Sequence, residues 1–176
     1  MTHSSPPPRF PTPKVIGIKH AHKIYTARSA VRVVAFNAAG KIAIVYAKRD
    51  NYYKLPGGGI DSPDEAHETA VVREMREETG GRIKLRSGVG CVATTEEYRG
   101  DLHQISYCYV ADLLVEDSDD FLESPNLTED EVADGLVHLW VSVAEAKRRM
   151  EEVEPTSELG RFIKERDGYL IREATR

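Results

Sequence analysis

GGGIDSPDEAHETAVVREMREETGG, residues Gly57 to Gly81, is the stretch from which the rest of the chain can be read. Ser62-Pro63-Asp64-Glu65 has the form of a capping box with proline at the first helical position, and Gly80-Gly81 supplies a stop. The spacing therefore predicts a helix of about seventeen residues starting at Ser62. Val71, Val72, Met75 and Thr79 recur at helical intervals and form the stripe that meets a sheet. Glu74, Glu77 and Glu78 form a second stripe spanning roughly 100° of the helix, which is expected to bring three carboxylates within reach of one or two small cations. Like charges at this spacing repel by roughly 0.2–0.5 kcal/mol per pair in water, and more where the face is partly buried. Mg²⁺ would offset the repulsion, because it takes hard oxygen ligands, keeps some of its waters and bridges to phosphate. A solvated acidic face with Arg73 and Arg76 as counterions would account for the same letters without a metal. Gly57-Gly58-Gly59 weighs against that reading, since a loop without side chains lets backbone carbonyls approach a cation closely. An EF-hand is excluded, because its oxygen ligands at alternating loop positions are missing.

The stretch resembles the Nudix box. Gly59, Glu65, Arg73, Glu74, the apolar Met75, Glu77, Glu78 and Gly80 all stand in register with that family's pattern. Gly81 departs from it, because the family has an aliphatic residue there; Ile83 is the candidate for that packing. The resemblance implies an α/β (α+β) fold, an α/β/α sandwich built on a mixed sheet. It also implies a MutT-like nucleotide diphosphatase that depends on Mg²⁺, with Mn²⁺ able to substitute. Within it Glu77 and Glu78 are metal ligands, Glu74 is a ligand or the base that activates water, and a carbonyl of Gly58 or Gly59 is a further ligand. Arg73 holds the glutamates in place. Glu65 is explained by helix capping without any chemistry. Many members draw another carboxylate from outside the box. Glu131 is the first candidate, with Glu129 and Asp130 beside it, and Glu96 and Glu97 follow.

Outward from the box, VRVVAF (Val31 to Phe36) and KIAIVYA (Lys41 to Ala47) are β-branched runs joined by Asn37-Ala38-Ala39-Gly40, the composition of a hairpin. A loop through Tyr53 is expected to lead into the glycines. Strand text follows at Ile83 to Glu97, bent at Gly88 or Gly90, then at Gln104 to Val115 and at Leu136 to Ser142. An acidic loop covers Glu116 to Asp134, and two helical patterns, Val143 to Glu152 and Thr156 to about Arg166, close the chain. Residues 1–13 read as a disordered proline-rich arm and 14–176 as one domain, which suits a chain of 176 residues with 40% apolar content.

The net charge of −5 argues against a duplex nucleic acid partner. The first sixty residues nevertheless hold ten Lys or Arg against one acid, Asp50. An acidic wall facing phosphate-holding basic groups would use such asymmetry, although sequence halves need not be spatial halves. No run approaches the roughly 18 apolar residues of a membrane span, and MTHSSPPPRF lacks the apolar core of a secretory signal, so a cytoplasmic protein without a membrane partner is expected. Cys91 and Cys108 read as small buried hydrophobes. A small phosphorylated substrate is the expected partner, and the oligomeric state stays open, a homodimer included. Substrate contacts are expected from Tyr53, Tyr98, Lys54 and Arg28, with Tyr52, Tyr107 and Tyr109 as further flat faces. The leading function is cleavage of a diphosphate link in a nucleoside diphosphate derivative or an oxidised nucleoside triphosphate. A diphosphoinositol or dinucleoside polyphosphate hydrolase would instead put Lys14, Lys19, His20, His22, Lys23 and Arg28 around the site. A catalytically silent nucleotide sensor is the remaining alternative.

Overall fold

The computed structural model describes residues 9–62, 65–114 and 127–176. The chain runs β1 (Lys14–Gly17), β2 (Thr26–Phe36), β3 (Ile42–Ala47), β4 (Tyr52–Lys54), α1 (His67–Thr79), β5 (Ile83–Leu85), β6 (Ala93–Arg99), β7 (Leu102–Leu113), α2 (Glu129–Ala133), β8 (Leu136–Val141), α3 (Val143–Glu152) and α4 (Glu158–Ala174). One mixed sheet joins the strands in the order β1-β6-β7-β2-β3-β4, with β5 on β7 and β8 on β3. The pairs β1–β6 and β2–β7 are parallel, and the others are antiparallel.

Alternation along β2 builds the two layers. Val31, Val33 and Ala35 face α1 and pack on Ala70, Val71 and Met75. Val34 points the other way, into a core with Ile42, Ile44 and Leu55 that α3 and α4 close with Ala146, Met150, Leu170 and Ile171. Each fully buried Leu, Ile, Met or Val side chain contributes about 1.5–3 kcal/mol, so both helical layers are tied firmly to the sheet. The expected α/β/α sandwich is the observed architecture.

The β2–β3 connection is the expected turn: Asn37 Oδ1 accepts the N–H groups of Ala39 and Lys41, and Gly40 sits at φ 72°. The hairpin itself goes no further than one register pair, Phe36↔Ile42. Beyond it β3 turns to β4 and β8, while β2 takes the glycine-rich segment as its neighbour. Val33 N–H donates to Pro56 O, Val31 N–H to Gly58 O, and Ile60 N–H to Ser29 O. A Cβ at Gly57 (φ 143°) would collide with the Val31 carbonyl, so only glycine lets the loop lie this close.

Several expectations shift. The helix α1 begins at His67, behind Ala66 with no side-chain cap, rather than at Ser62. Glu65, the carboxylate meant to complete the box, instead accepts from Arg73 and from Asp61 N–H; Pro63 and Asp64 lie outside the described residues. The Ile83 to Glu97 run splits into β5 and β6, which both lie antiparallel on β7, because the chain loops out of the sheet between them through Gly88 (φ 74°) and Gly90 (φ 66°). Tyr52–Lys54, read as loop, pairs with β3. Glu129–Ala133, within the expected acidic loop, is a short helix, and α4 runs on to Ala174. Residues 115–126 and 1–8, which carry the rest of that loop and the start of the arm, lie outside the described residues. Further along the arm, Phe10 packs on His67 and Tyr107, with ring centroids 5.6 and 4.7 Å away, and Pro11 O accepts the Thr94 hydroxyl at 2.6 Å. No helix among the described residues is long and apolar enough to cross a membrane.

Candidate active site

The glycine loop, the carboxylate face of α1, and the ends of β2, β6 and β7 border a cleft of about 430 Å³. Its acidic side is organised by Arg73. The guanidinium donates from Nε and Nη2 to Glu65 (2.9 and 3.2 Å), from Nη1 to Glu74 (2.9 Å) and Glu77 (3.3 Å), and from Nη2 to Gly59 O (3.1 Å). A planar fork can hold several oxygens at once, which a lysine ammonium cannot do in fixed geometry. Its hydrogen bonds to Arg73, and then to Asp61 N–H, hold the Glu65 carboxyl below its usual range.

The three glutamates are not equivalent. Glu74 is 8% exposed, and burial, followed by the charge of Glu78, keeps its carboxyl above the ordinary range despite Arg73. Glu77 is the most open, its side chain 39% exposed. Glu78 is engaged elsewhere: Lys54 Nζ donates to Oε1 at 2.5 Å and Gly57 N–H to Oε2 at 3.1 Å. Glu74 and Glu77 therefore meet at one nitrogen of Arg73, while Glu78 pairs across the glycine loop. Among the described residues no three metal-ligating side chains stand gathered. The donors nevertheless fit a hard cation, because they are carboxylate oxygens and because a cation would offset the burial and the Glu78 charge that hold the Glu74 carboxyl above its ordinary range. Of the two carbonyl candidates, Gly58 O is taken by Val31 N–H and Gly59 O by Arg73.

Gly58 fits closely here, since its carbonyl is tied to β2 and a Cβ there would run into the Glu74 carboxylate and push it aside. We expect Gly58→Ala to lower turnover on the order of 10²-fold, the effect of displacing a catalytic group by about 1 Å. Unchanged steady-state kinetics in that variant would detach Glu74 from the chemistry.

Other expected residues are distributed unevenly. Lys54 and Arg28 line the cleft, with Arg28 Nη1 donating to Gln104 Oε1 at 3.0 Å. Glu131 also lines it, but its carboxylate accepts from Thr128 N–H and hydroxyl as the reciprocal half of a capping box. Glu97, 3% exposed, lines the cleft and accepts from Gln104, whereas Glu96 is turned away to Tyr98 and His103. Tyr53 packs on Tyr46 and beneath Arg149, outside the cleft lining; Tyr52 takes the cleft position. Tyr98 is stacked on His103 (4.7 Å, 5°) with Lys19 above its ring, so its faces are occupied. Of the six basic residues from Lys14 to Arg28 named for an inositol substrate, only Arg28 lines the cleft.

Sequence reading missed Arg32, Arg99, Gln104 and Arg166. Arg32 had a visible signal: a charge inside the otherwise apolar VRVVAF points opposite to Val31 and Val33 and demands an explanation. Arg166, 3% exposed, donates to Asp167 Oδ1 (2.6 Å) and Oδ2 (3.2 Å) and stands 3.5 Å from Glu97. No sequence signal joins a residue of α4 to one of β6.

Comparison with known proteins agrees with this geometry. A protein of Bacillus subtilis (strain 168), named provisionally as an 8-oxo-dGTP diphosphatase, is 40% identical over 58 residues, 33% of this chain; the match spans only 38% of that relative's length. Two solved structures share the fold. A MutT protein from Methanosarcina mazei Go1 has a TM-score of 0.57 at 16% identity, covering 89% of this chain and 100% of its own. A C. elegans Ap4A hydrolase binary complex also scores 0.57, at 17% identity, covering 84% of this chain and 95% of its own. The NUDIX domain model matches residues 26–159, which include β2, the glycine loop, the Arg73-centred glutamates and the start of α4, and the chain belongs to the Nudix family.

Proposed function

We infer that this is a cytoplasmic hydrolase that cleaves the diphosphate link of a nucleotide, working with Mg²⁺ or Mn²⁺. The observation that carries the reading is the cleft itself, in which the Arg73-ordered carboxylates of α1 face a wall of arginines across the glycine loop. The family generally uses a divalent metal. Glu77 and Glu78 would hold it, and it would neutralise phosphate oxygens and acidify a bound water. The rest falls to the protein. Water attacks phosphorus, the bridging P–O bond breaks, and two phosphate-bearing products leave. Glu74 Oε2 would accept the water's proton, since Oε1 is engaged by Arg73 and a carboxyl held above its usual range is better matched to that role. Lys54 would hold a phosphate oxygen when a substrate draws it from Glu78.

A colorimetric screen of nucleotides, nucleotide sugars, dinucleoside polyphosphates and inositol pyrophosphates, with each metal, tests this. Turnover of a nucleotide class only with metal is the expected result. Release from inositol pyrophosphates alone would transfer the reading to that class. Nucleotide binding without turnover would make the protein a sensor.

A further inference from the structure

The wall of the cleft opposite α1 is rich in arginine: Arg28, Arg32, Arg99 and Arg166 line it against Glu97. Arg166 is satisfied by Asp167 and Glu97. The other three are not paired with any carboxylate among the described residues. Arg28 has the neutral amide of Gln104. Arg32, 6% exposed, has only the Val31 carbonyl, and its buried Nε–H finds no acceptor. The buried Nε–H of Arg99 also lacks one.

Such groups are expensive to leave as they are. Buried donors are almost always hydrogen-bonded, and a buried cation is normally paired, so two guanidinium groups that line one cleft, each with an unmade donor and no carboxylate, point to an anion that offsets their charge. Arg32 bears a further penalty, since burial and the adjacent Arg166 pull its pKa down to about 10, and a bound anion would reverse that. Guanidinium forks match tetrahedral phosphate oxygens in particular. Strand geometry spreads the three groups. Arg28 and Arg32 are four residues apart on β2, and Arg99 ends β6 beside Leu102, so they present a strip rather than a point.

We propose that Arg28, Arg32 and Arg99 bind a non-reacting phosphate of the substrate, so that the preferred substrates carry an oligophosphate chain longer than the diphosphate that is cut. This rests on the hydrolase reading above. A nucleotide sugar, with a neutral group in that place, leaves the two guanidinium charges without that offset and is a poorer substrate.

Inorganic tripolyphosphate in EDTA is the probe, with binding read from the thermal shift of the intact protein, a measurement that needs neither metal nor turnover. Wild type should be stabilised in a concentration-dependent way, and Arg32→Met and Arg99→Met should each weaken the apparent affinity by about tenfold or more. Arg32→Met should hold or raise the ligand-free Tm, because it removes an unpaired buried charge. If that variant folds poorly, Arg99→Gln, at a half-buried position, carries the test. No wild-type shift, or equal shifts in wild type and variants, overturns the proposal whatever the enzyme hydrolyses. With Mg²⁺, Arg99→Met should raise KM for a nucleoside triphosphate while leaving that for a nucleotide sugar within about twofold. An equal rise for both would assign these arginines to the diphosphate itself and also overturn it.

Discussion

Glu77→Gln should abolish most turnover and leave the protein as stable as before. The side chain is more open than those of Glu74 and Glu78, and its one hydrogen bond among the described residues, from Arg73 Nη1, is long at 3.3 Å. Glutamine keeps the shape and helix propensity, and it relieves repulsion from Glu74 and Glu78. What would be lost is a carboxylate oxygen at the cleft, the proposed metal ligand. Removing one such electrostatic contributor lowers kcat by roughly 10²–10³-fold, and by more if the metal is lost with it. Added Mg²⁺ should raise the wild-type Tm more than the variant's, because only a competent native site gains binding free energy. Near wild-type kcat together with an equal Mg²⁺ shift would make the glutamates a solvated face, and the hydrolase reading would be withdrawn.

Asp167→Ala should give the largest loss of stability. Asp167 is wholly buried; it accepts from Arg166 Nε and Nη2 and, through Oδ2, from the Leu55 N–H at 2.8 Å. Without it Arg166 keeps, among the described residues, Glu97 at 3.5 Å as its carboxylate, beside the buried Arg32, and Leu55 N–H loses its acceptor two residues before the glycine loop. Breaking a buried ion pair by deleting one partner costs about 3–5 kcal/mol, a fall in Tm on the order of 10 °C for a domain of this size. Turnover should fall too, since the loop is anchored there. Asp167→Asn, which keeps the acceptor for Leu55 N–H, should recover part of the loss. A Tm within about 2 °C of wild type for Asp167→Ala would show that water replaces the carboxylate and that the network is not structural.

Short-range chemistry was legible because it is written in adjacent letters. Val71, Met75 and Thr79 of the expected stripe are buried and Val72 is partly so, and Arg73 binds Glu74 and Glu77 while Glu78 pairs with Lys54. The Asn37–Gly40 turn was readable for the same reason. The start of α1 was misplaced because Glu65 had two possible partners, a helix terminus or Arg73, and the choice depends on where the glycine loop carries Asp61 and Gly59. Tyr53 and Tyr98 were chosen for proximity in sequence. Strand alternation placed Tyr52 rather than Tyr53 in the cleft, and a stacked histidine covered Tyr98.

The sequence by itself determined the family, the sandwich, and the carboxylates of one helical face, because a helix fixes the spacing of its own side chains whatever surrounds it. Only the tertiary structure decided what those carboxylates face. Parallel pairing of β2 with β7, antiparallel pairing of β6 with β7, and the closing of α4 over their ends gather Arg28, Arg32, Arg99, Glu97 and Arg166 from segments up to 138 positions apart. Nothing in the local text brings such groups together. Their union depends on which strands become neighbours, and that is set by burial of the two cores on either side of the sheet.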